Sequence, residues 1–139
     1  MTPEKEAEKE VLLAAPSLQC RLLRNNNGAV EVDGRFIRFG LGNISKRISD
    51  MMKSSDYIGV TKVVITQEMV GKTVGVITAI EVKPKGFNIF RLDFPKQSRE
   101  FAQLNFLNFI REFGGFAGFV TSGDDLKTII NHYLKWLKS

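Results

Sequence analysis

The chain has 139 residues, 20 Lys and Arg against 15 Asp and Glu, a single Cys and a single His, and a formal charge of +5. That length fits one domain, and one Cys with one His excludes an internal disulfide and a Cys/His zinc site, while a thiol protease or Ser-His-Asp hydrolase would rest on Cys20 or His132 alone. The 43% apolar content excludes a disordered tail; no uncharged apolar run approaches the roughly 18 residues of a membrane span and no basic-then-apolar leader opens the chain, so the expectation is a soluble cytoplasmic protein with no membrane partner.

In chain order, Pro3 suits a helix start, and residues 4–15 read as a helix with an acidic first turn, stopped by Pro16. Residues 18–23 read as a short strand, followed by the turn Asn25-Asn26-Asn27-Gly28. Residues 30–39 alternate around Asp33-Gly34, the signal of a type I′ hairpin. Residues 40–55 are polar and basic, with a short helix over 44–52. A β-branched strand follows over 57–66, then the most apolar one over 73–82, whose lack of polar alternation predicts a central strand buried on both faces. Residues 96–113 read as a helix with Phe101, Leu104, Leu107, Phe109 and Ile110 on its apolar side, ended by Gly114-Gly115. A strand over 116–121 and a helix from the cap Ser122 to Trp136 complete the order α, β-meander, α-β-α. The expected fold is α/β, a mixed central sheet flanked by helices.

A basic chain favours a polyanionic partner, most simply nucleic acid, although many small domains are mildly basic. The distribution sharpens this. Arg21, Arg24, Arg35, Arg38, Lys46, Arg47 and Lys53 dominate residues 21–53, and Arg24-Asn25-Asn26 reads either as a plain turn or as a phosphate contact. The chemistry sits in Glu81-Val82-Lys83. Residues two apart on a strand share a face, so this carboxylate and ammonium emerge together. If the strands over 57–66 and 73–82 pair as a hairpin through Gly71, Asp56 lies at the same sheet end as Glu81. Two neighbouring carboxylates call for a divalent cation such as Mg²⁺, with the Val82 carbonyl facing the same ion and Lys83 activating water or stabilising phosphate charge. Against this, an E-x-K triplet arises by chance in roughly half of chains this size, and a Glu–Lys pair at a strand end is commonly a solvated ion pair.

The order Arg24-Asn25-Asn26, Gly34-Arg35-Phe36-Ile37-Arg38-Phe39-Gly40, Ser55-Asp56-Tyr57-Ile58-Gly59, Ala79-Ile80-Glu81-Val82-Lys83, Gln103 with Phe106-Leu107, and Gly114-Gly115-Phe116-Ala117-Gly118 resembles the stand-alone VRR-NUC nucleases of phages and bacteria, whose domain also ends the Fanconi-associated nuclease. The resemblance spans residues 4–137 and implies the restriction-endonuclease-like fold of the PD-(D/E)xK superfamily. It further implies a Mg²⁺- or Mn²⁺-dependent endonuclease that acts as a homodimer on branched DNA such as four-way junctions. Carried over residue by residue, Asp56 and Glu81 match the metal-binding acids, Lys83 the catalytic lysine and Gln103 a glutamine opening the following helix. A first-helix Glu near the metal is matched by Glu6 or Glu10, with Glu6 preferred. The DNA-contacting set is Arg21, Arg24, Asn25, Asn26, Lys46, Arg47 and Ser55. Met51-Met52-Lys53-Ser54 departs from the family, which usually carries a Gly there, and residues 85–96 are longer and more aromatic. Phe87, Ile89, Phe90 and Phe94 in that segment read as a dimer surface, a DNA wedge or core closure. The rival readings are an inactive nucleic-acid-binding module of the same fold, a flap or nicking nuclease, and a basic scaffold protein.

Overall fold

The computed structural model describes residues 1–51 and 55–139; the departure at 51–54 and the last residue of the helix expected over 44–52 therefore lie largely outside the described residues. The chain forms two compact units, Met1–Thr61 and Lys62–Ser139. Its class is mixed α/β, with four α-helices among the described residues.

The first unit opens with α1 (Pro3–Ala14), capped by the Thr2 hydroxyl accepting from the Lys5 amide, and Pro16 turns the chain into a single 3₁₀ turn. Strand β1 (Cys20–Arg24) pairs antiparallel with β4 (Tyr57–Thr61), Arg24 standing opposite Tyr57. Gly59 lets these two backbones approach closely: a Cβ there would lie 1.9 Å from the Arg21 carbonyl oxygen. The hairpin of β2 (Gly28–Val32) and β3 (Arg35–Phe39) forms as expected, with Asp33 at φ 50° and Gly34 at φ 75°, the left-handed pair a type I′ turn requires. Asn43 ties its open end by donating to the carbonyls of Gly28 and Phe39. Helix α2 (Lys46–Met51) follows, with the Ser45 hydroxyl accepting from the Ile48 amide.

The second unit holds β5 (Thr78–Val82), α3 (Arg99–Glu112), β6 (Phe116–Val120) and α4 (Gly123–Leu137). Strands β5 and β6 run parallel, so their connection must cross over, and α3 is that crossover. Ser98 and Ser122 cap α3 and α4 by accepting from the Phe101 and Asp125 amides. Gly114, at φ 86°, ends α3, and its amide donates to the Arg111 carbonyl. Leu104, Leu107 and Ile110 on α3 pack with Ala117, Phe119 and Val120 of β6 to form the core. Phe94 joins this core, and its ring stands 5.8 Å from that of Phe119. Of the three readings for the aromatic segment, Phe87 and Phe94 take the core-closing one, while Phe90 stays exposed.

Two expectations about the sheet are corrected. The strands do not form one central ladder: among the described residues they pair as β1–β4, β2–β3 and β5–β6. The hairpin through Gly71 is replaced by those pairings because residues 62–77 contain no strand, only a 3₁₀ turn at Gln67–Met69, and Val63, Val64, Ile65, Val70 and Val74 there are exposed. Strand β5 is accordingly half-buried rather than covered on both faces, and covers only the last five residues of the stretch expected to be strand.

Candidate active site

Glu81 and Lys83 leave β5 on the face that α3 covers. Gln103 Nε2 donates to Glu81 Oε1 at 2.8 Å, and Lys83 Nζ donates to Glu100 Oε1 at 3.4 Å. The pairing is a matter of period: residues two apart on the strand meet residues three apart on the helix, each set sharing one face. The Lys83 side chain is 12% exposed and that of Glu100 36%. The ammonium also lies over the rings of Phe87 and Phe119, 5.6 and 5.7 Å from their centroids. The Glu100 carboxyl is held below its ordinary range, first by its own backbone amide at the helix start and then by Lys83. Glu100 is the residue sequence reasoning missed; its signal is its place in the first turn of α3, one helical step before Gln103.

The donors in this cluster suit a hard cation. Glu81 Oε2 has no protein partner among the described residues, and Gln103 Oε1 is buried with no hydrogen-bond partner. An orphaned buried carbonyl oxygen is costly and calls for a ligand to complete it. The main chain adds a third oxygen. Phe116 donates to the Ile77 carbonyl and Lys83 donates to the Val120 carbonyl, so odd-numbered β5 residues face β6. Val82, in the opposite phase, turns its carbonyl to the free edge. Amide, main-chain and carboxylate oxygens are the donors Mg²⁺ and Mn²⁺ accept. Among the described residues no three His, Cys, Asp or Glu side chains gather as a metal-binding group, so a cation here would draw on the Glu81 carboxylate, these neutral oxygens and water.

The first unit carries a separate polar cluster at the Arg24 end of β1. Asn25 donates its backbone amide to the Asp56 carbonyl and its Nδ2 to the Ser55 carbonyl, both at 2.8 Å. The Ser55 hydroxyl donates to the Tyr57 carbonyl. Arg24 reaches Asn26 Oδ1 at 3.2 Å and Glu8 Oε1 at 3.4 Å, and the Tyr57 hydroxyl donates to the same Glu8 oxygen. That bond, with some desolvation, raises the Tyr57 pKa above its ordinary 10.0. The α1 acid turned onto the strands is thus Glu8. Glu6, the preferred candidate, and Glu10 are exposed, because Glu8 lies on the opposite side of the helix from the face those two share.

Asp56 is exposed. Of the remaining DNA-contact candidates, Arg21 is exposed on β1 and Arg47 on α2, while Lys46 pairs with Asp50 at 3.0 Å. The structure brings Arg24, Asn25, Asn26, Ser55 and Asp56 into one neighbourhood, and Glu81, Lys83 and Gln103 into another.

At the level the geometry defines, this is a mixed α/β chain with an acid–lysine–glutamine cluster at a strand end. Compared with protein-family models, curated proteins and solved structures, the chain has no match. Among the described residues no helix is long and apolar enough to cross a membrane.

Proposed function

We propose that the chain is a divalent-metal-dependent DNA endonuclease of the VRR-NUC type with a restriction-endonuclease-like fold, working on branched DNA such as four-way junctions in the bacterial or phage-host cytoplasm. The observation that carries this reading is the pairing of Gln103 with Glu81 beside a nearly buried Lys83. Chance E-x-K triplets at strand ends are solvated, and this one is covered by a helix that supplies a partner to each of its two charged members.

In this reading Glu81, the Val82 carbonyl and Gln103 Oε1 would hold Mg²⁺ or Mn²⁺; the resemblance also assigns Asp56, in the first unit, as a metal-binding acid. The cation, when bound, polarises the phosphate and lowers the pKa of bound water. The protein's own groups do the rest. Gln103 orients the Glu81 carboxylate through its Nε2 donor, leaving the second carboxylate oxygen for the metal. Lys83 is held in place by Glu100 and by the Phe87 and Phe119 rings, and it stabilises negative charge on the scissile phosphate. Glu100 acts through Lys83 and is a positioning residue. Arg24, Asn25 and Asn26, with Arg21, Lys46, Arg47 and Ser55, contact the DNA backbone. Symmetric incision of a junction needs two copies of a one-site chain, hence a homodimer.

The test is incubation with Mg²⁺, Mn²⁺ or a chelator and a panel of linear, flapped and four-way DNA. Metal-dependent cutting with a preference for the four-way substrate is expected. Cutting confined to flaps or single nicks favours the flap-nuclease alternative. Tight binding with no product on any substrate favours an inactive binding module of the same fold.

A further inference from the structure

The second unit contains a cleft that the proposed nuclease site does not use. It has a volume of about 640 Å³ and lies between the loop at residues 89–92, the core of α3 and β6, and α4. That volume falls in the range of small-molecule sites, about 300–1,000 Å³. Its floor is Leu104 and Phe119, both buried. One wall is aromatic: the Phe116 and Tyr133 rings lie 4.2 Å apart, and Tyr133 and Trp136 5.6 Å apart. The lips are apolar and open, Phe90 being 71% exposed and Trp136 59%.

The charge of the lining is one-sided. Arg91, Arg111 and His132 face the cleft and no carboxylate does. Arg91 is already engaged, pairing with Asp93 at 3.1 Å and lying over the Phe94 ring. Arg111 is not. Its Nε donates to the Ala117 carbonyl at 2.9 Å and Nη1 to Asn108 Oδ1 at 3.1 Å, which fixes the guanidinium while leaving Nη2 without a partner and the charge without an acid among the described residues. A fixed cation in an apolar cleft is half of a recognition pair whose other half is an anion.

We propose that this cleft binds a small amphipathic anion, a flat apolar body carrying one carboxylate or phosphate, with the body against Phe90, Tyr133 and Trp136 and the anionic group on Arg111. Two sources share that chemistry, an aromatic carboxylate and a nucleoside monophosphate. The inference is independent of the nuclease reading.

Trp136 is the only tryptophan of the chain, so its fluorescence and its indole N–H resonance report on the cleft directly. The probes are 2-naphthoate, its neutral counterpart 2-naphthalenemethanol, thymidine monophosphate and thymidine. Saturable binding is expected for at least one of the two anions, with its neutral partner at least tenfold weaker. In Arg111→Gln the anion and its neutral partner should bind alike. The stronger anion names the source, carboxylate or nucleotide, and either result supports the site. Equal affinity of each charged and neutral pair for the unsubstituted protein, or no saturable change up to millimolar probe, overturns the proposal. That comparison needs no substitution and holds even if Arg111→Gln fails to fold.

Discussion

Lys83 meets a demand that a solvated lysine does not: nearly buried, it holds one position, fixed by Glu100 and the two flanking rings. In the proposed reaction Lys83→Ala therefore lowers the cleavage rate by about 10²–10³, the usual cost of losing one charge-stabilising donor. Calorimetric Mn²⁺ affinity should stay unchanged, because an ammonium is not a ligand; loss of metal binding along with rate would make the lysine a structural residue instead. In the first unit, Tyr57 donates to Glu8, and ionising it would place two negative charges together. Its folded pKa lies above the unfolded value of 10.0, so this bond contributes stability below pH 10 that is lost as pH rises through the folded pKa. Ultraviolet titration of the folded protein against Tyr57→Phe should assign the later phenolate to Tyr57. At this scale the sequence made the shared face of Glu81 and Lys83 legible, because spacing two on a strand is a statement about one face, while Gln103 entered through the resemblance alone. Glu100 and Glu8 were not legible. Which helical face a carboxylate presents depends on how the helix packs, and α1, with six charges in its twelve residues, offers no strong apolar stripe to reveal it.

Local chemistry marked out the elements well wherever a residue satisfies a backbone group by itself. Ser122 does so as a helix cap, and Asp33-Gly34 and Gly114 supply the positive φ of a turn and a helix stop that the structure contains. Strand partners were less legible, because pairing is settled between segments distant in sequence. Apolar richness over 73–82 read as a buried strand, whereas only its final five residues enter a ladder, with β6 rather than β4 as the neighbour. Two predictions belong here. Gly59→Ala should destabilise the β1–β4 pair by about 1–3 kcal/mol, since the new methyl meets main chain that cannot swing away, and urea denaturation should show the lower midpoint. Asp125 accepts from both the amide and the hydroxyl of Thr121 and stands in the first turn of α4; the hydroxyl and amide bonds depress its pKa below the ordinary 3.8. A depressed carboxyl stabilises the fold above its unfolded pKa and loses that contribution as pH falls through the folded value. Asp125→Asn should therefore be less stable than the parent at neutral pH, and the gap should close as pH falls below the ordinary 3.8 and through the lowered folded value. A constant difference across that range would assign the effect to the lost geometry alone.

For the whole molecule, the proposed DNA binding would rely on phosphate contacts, given the net charge of +5 and the exposed arginines. Neutralising several phosphates gives a log–log salt slope of about −3 or steeper for junction DNA. A flat salt response would remove the basic surface from the account. The homodimer of the proposed reading would rest on apolar contact instead. The β2–β3 hairpin exposes Val30, Phe36, Ile37 and Phe39, an apolar area that a second copy can cover, and light scattering at micromolar concentration should give a dimer, alone or with junction DNA. The central claim, however, is that Glu81 belongs to a metal-dependent phosphodiesterase site. The most direct measurement is Mg²⁺-dependent cleavage of a labelled four-way junction by the parent protein and by Glu81→Ala, with junction binding measured in the same samples. The account predicts cutting by the parent, no cutting by the variant, and junction binding by the variant as tight or tighter, because a carboxylate that repels phosphate has been removed. Equal cleavage by both proteins would contradict it.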